Sequence, residues 1–127
     1  MKKEIIREMI DSIFEDFEVM KMTLQQGFVS SSIFHLQQVV EKSLKLYLYV
    51  KRQNYPFTHD ISVLLNLCKK YDTFFEDYDE LILLDEYYTS SRYPPYKKPL
   101  VEDVEFLAEK TKTLLDFILK EVRKRKK

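Results

Sequence analysis

The sequence predicts an all-α fold, an antiparallel up-and-down bundle of four to five helices forming a single domain over residues 1–127, with a basic tail at 123–127. Three observations carry this. One glycine and four prolines leave little material for hairpin turns. Apolar residues recur at helical steps of three and four along most of the chain. The breaks between those periodic runs are short, so successive helices must turn back on one another.

In the first run Ile6, Ile10, Ile13, Phe17, Met20 and Leu24 make the stripe of an amphipathic helix, expected to stop at Gly27. A second helix is predicted from the Ser30, Ser31, Ser32 cluster, where a hydroxyl can cap free N–H groups, to about Gln53, ahead of Pro56. Its apolar residues (Phe34, Leu36, Val39, Val40, Leu44, Leu46, Tyr47, Leu48, Val50) cover more than one face. That pattern predicts a central helix, and more apolar surface than one small bundle can cover predicts self-association.

Thr58 is the expected N-cap of a third helix, with Asp60 in its first turn, Ile61, Leu64, Leu65 and Cys68 facing inward, and an end near Tyr71. A fourth, from Tyr78 to Ser90, buries Leu81, Leu84 and Tyr88 and ends before Pro94. The last begins at Pro99 or Leu100 and follows Val101, Val104, Ala108, Thr111, Leu115, Ile118 and Val122 in a heptad-like seam. The first, second and fifth helices are long, the other two short.

With 21 basic and 21 acidic side chains the formal net charge is zero, so no long-range field draws in nucleic acid and DNA is not an expected ligand. Any polyanion site must be local. Cys68 stands alone, which predicts a free buried thiol in a reducing compartment. The N-terminus, rich in acids, reads as neither signal peptide nor membrane span, so the expected location is the cytoplasm. The tail "EVRKRKK" places cations at a helix C-terminus, where the dipole favours them; contact with RNA is the other reading.

A di-metal carboxylate bundle needs Glu-x-x-His repeats, and none occurs; the two histidines, His35 and His59, fall on different helices. No metal and no cofactor is expected. A glycine-rich phosphate loop cannot be built from Gly27 alone, and no nucleophile has a recognisable base beside it. What remains is a polar set on the second helix. His35, Gln38 and Lys42 share one face, with Glu41 and Lys45 beside them, as a solvated charge-paired stripe or as the lining of a cleft or interface. The interruption "YYTSSRYPPYKKP" adds Arg92 between tyrosines, with Pro94 and Pro95 stiffening the helix exit. Arg92 can fork onto a phosphate while a base stacks on a ring, or cap the helix and pair with Asp85 or Glu86. His59 can equally order the turn before the third helix.

Three segments, "FHLQQVVEKSLKLYL", "THDISVLL" and "SSRYPPY", resemble in order and spacing the motifs of the HEPN domains (higher eukaryotes and prokaryotes nucleotide binding). The resemblance implies a small dimeric helical protein, often paired with a separate minimal nucleotidyltransferase in a toxin–antitoxin-like unit. Some branches of the family are metal-independent ribonucleases carrying Arg-x(4–6)-His, brought together across a dimer cleft. Arg92 matches the arginine, but Lys97, Lys98 and Pro99 occupy the histidine positions. A lysine can hold a phosphate but is a poor general base.

The resulting expectation is a nucleotide- or RNA-binding partner of a nucleotidyltransferase, with Arg92, Tyr93 and Lys97 at the ligand and His35, Gln38 and Lys42 as a second lining. Glu41, His59 and Tyr96 are further candidates. The rival expectations are a metal-independent endoribonuclease toxin that recruits His35 or His59, and a pure protein-interaction module.

Overall fold

Gly27 sets the first reversal of the chain. It adopts φ +80°, a left-handed conformation open to glycine at little cost. The Gly27 N–H then donates to Leu24 O at 3.0 Å and the Phe28 N–H to Thr23 O at 2.8 Å, the paired closing bonds of a Schellman motif. The computed structural model describes residues 2–125. Among them are five α-helices, two 3₁₀ turns and no strand. Helix α1 (Lys3–Gln25) buries Ile6, Ile13 and Met20, the expected stripe, and also Asp16.

Helix α2 (Val29–Arg52) begins directly after the reversal, before the serine cluster. The expected serine cap is therefore corrected: Phe28 holds the N-cap position and makes no side-chain cap. The serines lie inside the first turn, where Ser32 Oγ donates back to Val29 O at 2.7 Å. A hydroxyl within the turn faces a carbonyl, not a free N–H. The helix ends at Gln53, φ 61°, whose N–H donates to Tyr49 O. It is central, packed by α1 and by every other helix of the bundle. Ile33, Leu36, Val39, Val40, Leu44, Leu46 and Leu48 are all fully buried within one chain, so the premise that α2 keeps uncovered apolar faces does not hold; of its large apolar residues only Phe34 is exposed.

The cap of α3 (Ile61–Lys69) is Asp60 and not Thr58. The Asp60 carboxylate accepts from Ser62 N at 2.9 Å, while Thr58 Oγ1 accepts from Asp60 N and braces the turn ahead of it. An anion at this end is also favoured by the helix dipole. The region expected to open the fourth helix forms two 3₁₀ turns instead, Thr73–Asp77 and Asp79–Ile82, and α4 runs only over Leu83–Arg92. Phe75, Tyr78, Leu81 and Leu84 are all buried. Their spacing of three matches the 3₁₀ repeat, which puts every third side chain on one side. There Phe75 meets Tyr47 edge to face at 4.6 Å between centroids, and Phe74 stacks on Phe117 at 3.8 Å.

Helix α5 (Val101–Arg125) lays Val104, Leu107, Thr111, Leu114, Leu115, Ile118 and Val122 against this core. Of the basic tail, Arg123 to Arg125 end the helix; residues 126 and 127 lie outside the described residues. Cys68 is fully buried, and burial pushes its thiol well above the usual range, which keeps it protonated and unreactive.

Gly27→Ala isolates the cost of the first reversal. A Cβ at Gly27 would meet nothing within 4 Å, so the cost is purely conformational. It should be about 1–2 kcal/mol in urea unfolding, with Gly27→Asn losing less because asparagine tolerates the left-handed region. An unchanged midpoint for Gly27→Ala would contradict this account.

Candidate functional site

The polar stripe of α2 divides between two sides of the bundle. His35 and Lys42 turn toward α1, where His35 Nδ1 lies 2.9 Å from Asp16 Oδ1 and Lys42 Nζ donates to Asp16 Oδ2 at 2.6 Å and to Ser12 Oγ at 2.7 Å. A carboxylate only accepts, so the proton of that contact sits on His35 Nδ1. Gln38 goes the other way, toward α4, and donates to Gln37 Oε1 at 2.8 Å. The three residues expected on one face thus serve two places.

Between α2, the start of α3 and α4 lies an open cleft of about 620 Å³, with Phe34, Gln37, Gln38, His59, Asp85 and Tyr88 among its walls. That volume falls in the range of small-molecule sites, ~300–1,000 Å³. Gln37 is buried, and its side-chain nitrogen stands within 3.3 Å of three oxygens: Glu41 Oε1, the backbone carbonyl of His59, and Asp85 Oδ1. Behind it Glu41 receives Lys45 Nζ at 2.9 Å and His59 Nδ1 at 3.1 Å. Asp85 Oδ2 accepts from Ile61 N at 2.8 Å, satisfying one of the free N–H groups that open α3.

The two enclosed carboxylates respond oppositely. Desolvation raises the pKa of Glu41, but hydrogen bonds from Lys45, His59 and Gln37, with the Lys45 charge, outweigh it and hold the carboxyl below its usual range. Desolvation dominates at Asp85, which is pushed up despite its bonds to Ile61 and Gln37, with Asp60 and Glu41 adding repulsion. Glu41 is the anchored anion of the site.

At the outer end of α4, Arg92 does not pair with Asp85 or Glu86. Its guanidinium lies over the Tyr88 ring, 4.8 Å from the centroid, and donates to the Tyr88 hydroxyl. Tyr88 stacks in turn on Phe34 at 5.8 Å, and Phe34 meets His35 edge-on at 5.0 Å. A continuous series of flat groups therefore runs from the rim of the cleft to α2. Tyr93 is exposed, with Arg92 5.9 Å from its centroid; Tyr96 is exposed as well. The following loop, with a cis Pro94–Pro95 peptide, folds back, so that Lys97 N donates to Ser90 O at 2.9 Å and Ser90 Oγ donates to Lys97 O at 2.8 Å. These bonds return the Lys97 backbone to Ser90 in the last turn of α4.

Arg92 and Tyr93 stand together just beyond the cleft, where Gln38 and His59 are among the lining residues, while the Lys97 backbone is tied to Ser90. His35 and Lys42 are placed elsewhere. Sequence reasoning missed Gln37, Asp85, Tyr88 and Asp16 as members of these networks. Two signals were available: Gln37, Glu41 and Lys45 repeat at four-residue steps, and Tyr88 and Arg92 share that spacing, which puts each set on one helix face. Asp16 carried no such signal. Among the described residues no group of His, Cys, Asp or Glu could hold a metal ion, and no helix is long and apolar enough to cross a membrane.

A helical bundle with a nucleotide-sized cleft between its second and fourth helices is the class that fold and site define. A model of the HEPN domain matches residues 7–122, nearly the whole chain, and the protein belongs to that family. Membership carries a nucleotide- or RNA-related function at family level. No curated protein and no solved structure matches the chain.

Glu41→Gln tests the anchored anion. Losing the charge-assisted bonds to Lys45 and His59 should cost ~1.5–3 kcal/mol at neutral pH. Because the folded protein holds Glu41 below its usual range, its stabilisation is complete above that range and is lost as pH falls through the folded value. The stability gap between wild type and variant, from urea midpoints, should therefore narrow on acidification below about pH 4.5, the usual value of this group. A gap independent of pH would refute the assignment.

Proposed function

We propose that this HEPN protein binds a nucleotide or a single-stranded RNA end, with phosphate at Arg92 and Lys97 and the base in the cleft against Tyr88 and Phe34, Tyr93 flanking. The observation that carries the reading is the Arg92 guanidinium. It lies over the Tyr88 ring, is joined to no carboxylate, and sits one helical turn beyond the cleft-lining Tyr88. A planar fork fixed on an aromatic ring suits phosphate, and aromatic walls suit a base. In this reading the protein works as a homodimer beside a minimal nucleotidyltransferase, as a toxin–antitoxin-like pair in the cytoplasm. The exposed Tyr96 and Leu100 in the loop after α4 offer apolar surface for such a dimer contact.

One observation favours endoribonuclease activity as the second reading. His59 borders the cleft with Nδ1 held by Glu41, leaving Nε2 toward solvent, and a carboxylate behind an imidazole is how a general base is oriented. The position after Arg92 where the family's ribonucleases carry histidine holds lysine here, which weighs against efficient cleavage.

Arg92→Ala should weaken binding of AMP or a short RNA by ~1.5–3 kcal/mol, and Arg92→Lys should restore only part of it, because an ammonium cannot make the forked contact. Since Arg92 is exposed, the melting temperature should stay nearly constant. A drop in melting temperature with unchanged affinity would overturn the reading. Purified protein should cleave generic RNA weakly or not at all without metal; efficient cleavage abolished by His59→Ala would establish the second reading instead.

A further inference from the structure

Helices α2 and α5 run parallel and end together. Tyr47 meets Phe117 at 6.3 Å between centroids and Lys51, one turn on, reaches Glu121 at 3.6 Å, so the two C-termini lie side by side. Both end on cations, α2 with Lys51 and Arg52 and α5 with Arg123, Lys124 and Arg125. A helix C-terminus carries about half a negative charge, which a single cation offsets. Two carboxylates act on this set: Glu121, spent on Lys51 and Lys124, and Asp72, whose charge also acts on Lys124. Arg123 and Arg125 make no side-chain hydrogen bond or ion pair among the described residues, and Arg52 uses only Nε, on Asn54 Oδ1. Charge is segregated along α5, with Glu102 and Asp103 in its first turn and these cations in its last.

An exposed aromatic ring borders the set. Tyr71, just past α3, meets Tyr47 edge to face at 6.4 Å, and Lys51 Nζ stands 5.5 Å from the centroid of the same Tyr47. The cleft is remote, because the rise along α2 from Gln38 to Arg52 is roughly 21 Å at about 1.5 Å per residue. Gln37 faces Asp85 and Phe34 faces Tyr88, so α4 runs antiparallel to α2 and carries Arg92 toward the opposite end.

We infer that the shared end of α2 and α5 is a second site, for the phosphate backbone of an RNA strand, read by charge and not by base sequence. Arginine suits it, because a planar guanidinium forks onto phosphate oxygens. The Tyr71 ring offers a face to an unpaired base, which an acidic protein surface would not use. Lys51 and Lys124 are held by Glu121, so Arg52, Arg123 and Arg125 carry the contact. A docking strand releases its condensed counterions, which makes the affinity fall steeply with salt. A mononucleotide has too few phosphates to gain from this. The site shares no residue with the cleft and stands independently of the nucleotide reading given to it.

The test follows a fluorescent oligouridylate of about 12 nucleotides by anisotropy on the full chain, over a range of salt concentrations. Arg52→Gln with Arg123→Gln and Arg125→Gln should weaken binding at least about tenfold at low salt. The slope of log affinity against log salt should flatten by about 2, the share of three phosphate contacts on a single strand. Arg52→Lys with Arg123→Lys and Arg125→Lys keeps the charge and should keep the slope, and circular dichroism checks each fold. AMP affinity, by calorimetry, should not change in the glutamine variant. An unchanged slope in that variant, folded, would overturn the site. Equal competition by polyglutamate would overturn it too, by showing a surface for acidic protein. Binding lost in Arg92→Ala and kept in the glutamine variant would assign all RNA contact to the cleft. A slope lost in the glutamine variant, with no AMP binding by any of the proteins, would keep this site and overturn the reading of the cleft.

Discussion

The fold hangs on a charged group kept inside it. Glu41 sits on the most enclosed helix of the bundle, with only 4% of its surface exposed, where an unpaired carboxylate would cost several kcal/mol. It is tolerable because Lys45 comes up from the next turn of its own helix and Gln37 from the previous one, while His59 closes over it from the loop before α3. Gln37 then reaches across to Asp85 on α4, and Asp85 returns to the first N–H of α3. One buried node thereby links α2, the start of α3 and α4 beside the cleft. A cleft is where a small bundle has least packing to hold its walls, and here hydrogen bonds supply that function.

The same node sorts the polar atoms of the cleft into those used for structure and those left for a ligand. Gln37 and both oxygens of Asp85 are spent, so they can shape the cavity but have little capacity to recognise anything. Gln38, with its carbonyl oxygen and second N–H, and the Glu86 carboxylate are not. Asp85 bears the strain of the arrangement: burial and its acidic neighbours push its proton affinity up. That contribution runs opposite in sign to Glu41, since a raised carboxyl stabilises the fold at low pH and loses this as pH rises through its folded value. The two carboxyls partly offset each other on acidification.

Much of the architecture was legible in the sequence because it depends on periodicity. The stripes of α1 and α5 and the inward residues of α3 follow from steps of three and four, and the central place of α2 from apolar residues on more than one face. The caps were less legible. Serine, threonine and aspartate are all good N-caps, and which one serves depends on where the preceding reversal ends, at Gly27 before α2 and at the Asp60 turn before α3. The 3₁₀ region was misread because Phe75, Tyr78, Leu81 and Leu84 keep a spacing of three, which over one turn is hard to tell from a helical stripe. At the site, Arg92, Tyr93, Lys97, Gln38 and His59 could be singled out. The split of His35 and Lys42 toward Asp16 could not, because it depends on the packing of α1 against α2.

A chain with no net charge can still hold an anion if its charges are segregated over short distances, and the cleft and its rim are so arranged. Arg92 ends α4, while Asp60, Asp85 and Glu86 line the cleft below it. Charge therefore changes sign over a short distance, from Arg92 at the end of α4 to the carboxylates that line the cleft. The stacked Arg92 joins the halves, because Tyr88 beneath it belongs to both the arginine's support and the cleft wall. Lysine in place of histidine fits this division: near neutral pH an ammonium adds charge at the rim, where an imidazole would add a base.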